Sequence, residues 1–172
     1  MTEDEGRMHP SFVLKKMTRR KIILGVGNLL NRDEGVGIHA VRALQTQNTL
    51  GAEWEVVDGG TLGLNLLPLV EEASHLIVLD AMDARRAPGT LIELPRAEVP
   101  LFSTLKMSQH QLLFQEVLAL AHVRGRLPEH LVVLGIQPAD LEIGVELSAA
   151  IALTMPKLLA RVEQITGEWN QQ

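Results

Sequence analysis

Four side chains stand where apolar stretches give way to polar ones, and they offer groups that bind cations or move protons. They are the carboxylates of Glu34, Asp58 and Asp80 and the imidazole of His110. Glu34 lies in the loop after the apolar run IILGV, Asp58 closes WEVVD, and Asp80 closes HLIVLD. His110 sits in the short SQHQ segment that opens a later helical stretch. Two of the carboxylates, Glu34 and Asp80, with His110 make an oxygen–oxygen–nitrogen set suited to a borderline divalent metal such as nickel or zinc. The residues are far apart along the chain, so only the fold can bring them together.

Each also has a plainer reading. Glu34 stands three residues after Asn31, a spacing that suits a helix-capping pair, and Asp33 is itself a candidate cap. Asp58 precedes Gly59–Gly60 and is placed to organise a turn through its side-chain oxygens. Ser108 and Gln111 fit the two ends of a capping box, which puts His110 in the first helical turn, where the helix dipole favours neutral imidazole. That is the metal-binding form, but a surface histidine would fit as well. Asp80 is harder to explain away: an acid that ends LIVL faces a strand edge where burial is costly without a partner.

Other chemistries are absent from the sequence. There is no HExxH, no GxSxG elbow and no phosphate-loop pattern, and Leu30 occupies the third glycine position of a GxGxxG fingerprint. Cysteine is absent, which removes disulfides, thiolate zinc sites and cysteine nucleophiles, and is compatible with a reducing cytoplasm. The net charge of −5 and the lack of a basic stripe argue against nucleic-acid binding. No apolar run approaches the roughly 20 residues that cross a bilayer, so no membrane insertion is expected. Lys15–Leu30, with the twin Arg19–Arg20, imitates a targeting signal, but Asn28 and the polar run after Leu30 interrupt it. A buried first strand preceded by solvated charges is the expected reading.

The elements that must position these groups follow from periodicity. Apolar runs predict strands at 22–26, 54–58, 75–80, 90–94 and 130–136, the fourth of them free to return antiparallel to a neighbour after the Pro88–Gly89 turn. Helical spacing predicts helices over 35–47, 63–73 and 109–122, and a last one over about 148–165, bent or broken near Pro156. Residues 1–20 read as a poorly ordered extension and 21–172 as one domain. Alternating strands and helices imply a single three-layer α/β domain, a mostly parallel twisted sheet with helices on both faces. In such sheets, functional groups collect at the carboxyl ends of the strands, where strand order reverses.

Four blocks then carry a family resemblance. ILGVGNLLNRDEGVG (23–37), VVDGGTLGLNLL (56–67), LIVLDAMDARRAPGT (76–90) and SQHQL (108–112) resemble, in order and separation, the signatures of the hydrogenase maturation endopeptidases. The resemblance covers roughly residues 21–165. It implies a protease that trims the C-terminus of the nickel–iron hydrogenase large-subunit precursor after nickel insertion. It further implies that Glu34, Asp80 and His110 engage the metal, and that Asp58 is a further functional or substrate-contacting residue. Nickel would arrive with the substrate, and zinc or another divalent cation would substitute in the isolated protein. The last block departs from the pattern, with Gln109 where proline is often seen. A cytoplasmic, monomeric enzyme is expected. The competing expectations are a metal-sensing chaperone that binds the precursor without cutting it, and a flavodoxin-like small-molecule binder suggested by fold class alone.

Overall fold

The computed structural model describes residues 20–101 and 109–171, with backbone alone for 109–113. The expected extension, residues 1–20, and the Ser108 end of the expected capping box therefore lie outside the described residues, apart from Arg20. Five strands form one sheet: β1 (Arg20–Val26), β2 (Trp54–Gly60), β3 (Ala73–Ala81), β4 (Leu91–Pro95) and β5 (His130–Ile136). Their order is β2-β1-β3-β5-β4, and β4 runs antiparallel to β5 while the other pairs are parallel. The helices are α1 (Val36–Gln47), α2 (Leu67–Glu72), α3 (Gln109–Val123) and α4 (Ala149–Asn170).

Strand alternation divides the core into two. Ile23, Ile77, Leu79, Leu134 and Ile136 point to one face, where α1 and α4 cover them with Val41, Leu44, Ile151, Leu158 and Val162. Ile22, Leu24, Leu76, Val78 and Val133 point to the other, under Val70 of α2 and Phe114, Val117, Leu118 and Ala121 of α3. The chain leaves β1 through α1 to reach β2 on one side. It then returns through α2 to β3 on the other side, so strand order reverses between β1 and β3.

Three boundaries differ from expectation. The stretch 63–73 is not one helix: Gly63–Leu66 makes a 3₁₀ turn, α2 holds six residues, and Ala73 already pairs in β3. Pro68, near the start of α2, suits a first turn because its missing N–H has no partner to lose there. β1 begins at Arg20, earlier than expected, because Arg20 pairs with Ala73 and its guanidinium donates to Glu55 (3.0 Å) and Glu72 (2.8 Å). α4 runs unbroken through Pro156 for 22 residues. Its buried stripe of Ile151, Leu158, Val162 and Ile165 provides the packing that outweighs one missing backbone bond.

At the amino ends of the strands, Trp54, His75, His130 and Trp169 gather. His75 stacks on its registered neighbour His130, with ring centroids 4.2 Å apart, and Trp54 stacks on Trp169 at 6.1 Å. Burial lowers the His75 pKa to about 4, helped by His130 and Lys21 and opposed by Glu129. The unfolded chain therefore binds the proton more readily than the folded one between about 6.5 and 4. The stabilisation is complete above 6.5 and is lost as pH falls through that window. After solvent screening of this half-exposed ring it amounts to about 1–2 kcal/mol. Denaturant midpoints should fall between pH 7.5 and 4.5, and His75→Phe should flatten that slope; an unchanged slope would contradict the assignment.

Candidate active site at the carboxyl edge of the sheet

Two buried acids lie near enough to influence each other electrostatically where strand order reverses. Asp80 is the penultimate residue of β3 and lies in register with Gly135 of β5, on the α2–α3 face with Leu76 and Val78. Asp80 is 8% exposed, and its carboxyl accepts the Ala81 N–H at 2.8 Å. Burial raises its pKa well above the usual carboxylate range; the hydrogen bond opposes this, and the negative charge of Glu34 adds to the rise. Glu34 is also 8% exposed.

Glu34 reaches this position through the backbone of the β1–α1 connection. Residues Arg32–Gly35 form a 3₁₀ turn that packs against β3. The Glu34 peptide is held on both sides: its N–H donates to the Asn31 carbonyl (3.0 Å) and its carbonyl accepts from Asn28 N–H (3.2 Å). Gly27, at φ 136°, makes the exit from β1 possible, because a Cβ there would lie 2.0 Å from the Glu34 carbonyl oxygen. α1 seats equally closely: a Cβ on Gly37 would lie 2.1 Å from the Leu79 oxygen and 2.4 Å from the Val26 oxygen. The expected side-chain capping by Asn31 does not form; Asn31 Oδ1 accepts from Asn28 instead, at 2.7 Å.

A cleft with mainly apolar walls opens beside Asp80, lined by Val78, Met82, Leu94, Val99, Phe114 and Leu118. His110 lies in the first turn of α3, as its sequence position suggested, one turn ahead of Phe114. Its side chain falls outside the described residues. Among the described residues, no group of three or more histidines or acids is gathered closely enough to hold a metal ion. What the carboxyl edge offers is a pair of buried acids, and a cation between them would offset both the desolvation and the mutual repulsion.

Asp58 is set apart. It shares the sheet face of Trp54 and Val56, on the α1 side, opposite Asp80. Its carboxylate accepts the Gly60 N–H (3.2 Å) and pairs with Arg42 of α1 (3.2 Å), which is the turn-organising role. Two polar residues matter more than their sequence positions suggested. Asp33, read from sequence as a helix cap, is fully buried and accepts four hydrogen bonds from residues 139, 140 and 148. Gln137, just past β5, accepts from the N–H groups of Ala84 (2.9 Å) and Arg86 (3.1 Å), pinning the loop that follows Asp80. The available signal for Gln137 was a polar residue directly after the apolar run HLVVLGI, at the same edge as Asp80.

Residues 38–165 match the family described as hydrogenase maturation protease. The chain is 46% identical over 122 residues to the hydrogenase expression/formation protein HupD of Thiocapsa roseopersicina, covering 70% of this chain and 55% of that protein. It is 44% identical over 153 residues to HupD of Rhodobacter capsulatus, covering 88% of this chain and 73% of the relative. Among solved structures, the hydrogenase maturating endopeptidase HybD from Escherichia coli superposes with a TM-score of 0.80 at 36% identity. That match covers 87% of this chain and 93% of HybD.

Proposed function

This chain belongs to the hydrogenase maturation protease family, and on that premise we propose that it is an endopeptidase acting on the nickel–iron hydrogenase large-subunit precursor. It removes the precursor's C-terminal extension after nickel has been inserted. The observation that carries this reading is the pair of buried acids, Glu34 and Asp80, at the point where strand order reverses. Nickel enters as part of the substrate, and zinc or another divalent cation substitutes for it in isolated protein. Glu34 and Asp80 supply oxygen donors and His110 a nitrogen, so three protein ligands leave coordination positions for the precursor.

Bound nickel supplies Lewis acidity near the scissile carbonyl. The chain's own residues orient the metal-bearing segment, and the apolar walls around Asp80 keep water from competing for it. Asp58, at the rim of β2, contacts the substrate beyond the metal.

Nickel-loaded precursor should lose its C-terminal extension on incubation with the protein, read as a fall in large-subunit mass, and nickel-free precursor should stay intact. Equal cleavage of both would remove nickel sensing. Binding without any change in mass would turn the reading into that of a chaperone.

A further inference from the structure

The residue before Glu34 does work that the candidate site depends on. Asp33 is fully buried, and both of its oxygens are engaged. Oδ2 accepts from the N–H groups of Ala139 and Asp140 and from the Ser148 hydroxyl, each at 2.8 Å; Oδ1 accepts the Ser148 N–H at 2.7 Å. Its own N–H donates to the Asp140 carbonyl at 3.2 Å. One carboxylate thus ties both ends of the β5–α4 loop to the turn that bears Glu34. Burial pushes its pKa up, but the hydrogen bonds from Ser148, Ala139 and Asp140 outweigh this and hold the carboxyl below its ordinary range.

The crest of that loop has little burial to hold it. Leu141, Ile143 and Val145 are 46%, 88% and 61% exposed. Order in the loop comes instead from polar contacts with the β1–α1 connection. Arg32 N–H donates to the Gly144 carbonyl and Gly144 N–H to the Leu30 carbonyl, both at 2.9 Å; Arg32 also pairs with Asp140 at 3.1 Å. Asp33 is the buried member of this set, and it is joined to Glu34 by a single peptide bond. A carboxylate fixed by four donors cannot turn without breaking several of them, so the adjoining backbone is fixed too.

We infer that Asp33 is a positioning residue: by clamping Ala139, Asp140 and Ser148 it holds the Glu34 backbone, and hence the Glu34 carboxylate, in place against Asp80. The inference rests on the reading of Glu34 as a site residue given above. Asn in place of Asp keeps the shape but replaces one acceptor oxygen with a donor, so either the three donors to Oδ2 or the Ser148 N–H donor to Oδ1 lose their partner.

The test is Asp33→Asn in the full-length protein, with Ser148→Ala as a milder variant that removes one bond. Amide hydrogen exchange followed by NMR should quicken at Ala139, Asp140, Ser148 and Glu34 by about tenfold or more, while the amides of β1 and β3 stay protected. With nickel-loaded precursor, kcat should fall by about 10–100-fold at nearly unchanged KM, the size expected for a group that orients a ligand from behind. Ser148→Ala should shift both readouts the same way by less. Exchange that quickens at the loop but not at Glu34 would overturn the positioning role, as would an unchanged kcat. Should the wild-type protein fail to cut the precursor, the proposed function fails, and exchange at Glu34 still decides whether Asp33 positions it. If Asp33→Asn does not fold, Ser148→Ala carries the same decision.

Discussion

Asp80→Asn is expected to reduce precursor processing by about 10³-fold or more while leaving the protein at least as stable as before. The loss follows if Asp80 is a metal-facing ligand, since several kcal/mol of charge stabilisation at the reacting carbonyl correspond to about that many decades of rate. The stability side follows from the sign of the pKa shift. Asp80 is raised in the folded state by burial and by Glu34, so the folded protein binds this proton more tightly than the unfolded chain. Its ionisation therefore opposes folding as pH rises through the window between the ordinary carboxylate value and the raised one. An amide removes that penalty and can still accept the Ala81 N–H through its oxygen. Mass-spectrometric time courses and denaturant midpoints at pH 7.5 check the two halves together. Retained processing would remove Asp80 from the site; lost processing with a large fall in stability would make its role structural.

Gly37→Ala should destabilise the fold by about 3 kcal/mol or more, beyond the usual cost of overpacking. A Cβ there would meet two carbonyl oxygens, those of Leu79 and Val26, and both belong to backbone in the centre of the sheet. Neither can rotate away as a side chain would. The neighbouring Gly25 is under the same constraint, since a Cβ on it would lie 2.3 Å from the Gly37 oxygen. For a domain of this size the expected drop in Tm is about 6–12 °C. Because α1 must lift off β1 and β3 to make room, processing should fall as well. A midpoint within experimental error of wild type would show that the helix seat is looser than these contacts imply.

The architecture could be read from the sequence because its signals are local. Apolar runs such as LIVL and HLVVLGI are short, β-branched and bounded by polar residues, and a parallel strand covered on both faces requires that pattern. The rule that sites form at the carboxyl ends of such strands places Glu34 and Asp80 at one edge from the sequence alone. The helix read over 63–73 misled because Leu64, Leu67 and Val70 have helical spacing, yet Leu64 is 52% exposed and the true helix begins later. Pairing between Arg20 and Ala73 decided that boundary, and it depends on a contact far along the chain.

The same reason hid Asp33. Its donors lie 106, 107 and 115 residues away, and nothing near Asp33 in sequence distinguishes it from a cap. Asp58 was legible as a turn-former, and its place on the α1 face follows from alternation along β2 once Trp54 is known to point there. The backbone place of His110 was legible from the helical pattern of α3.

With two tryptophans and no tyrosine, nearly all of the protein's intrinsic fluorescence arises from the stacked Trp54–Trp169 pair. That pair sits at the amino ends of seven-residue strands, about 20 Å from the acids at their other ends. The emission is thus an optical gauge of whether the last turns of α4 are docked, and it is nearly blind to a ligand arriving at the opposite rim. A dye or fluorinated probe near Ile143 would supply the second channel, so that docking of the helix and capture of a substrate are followed separately in one sample.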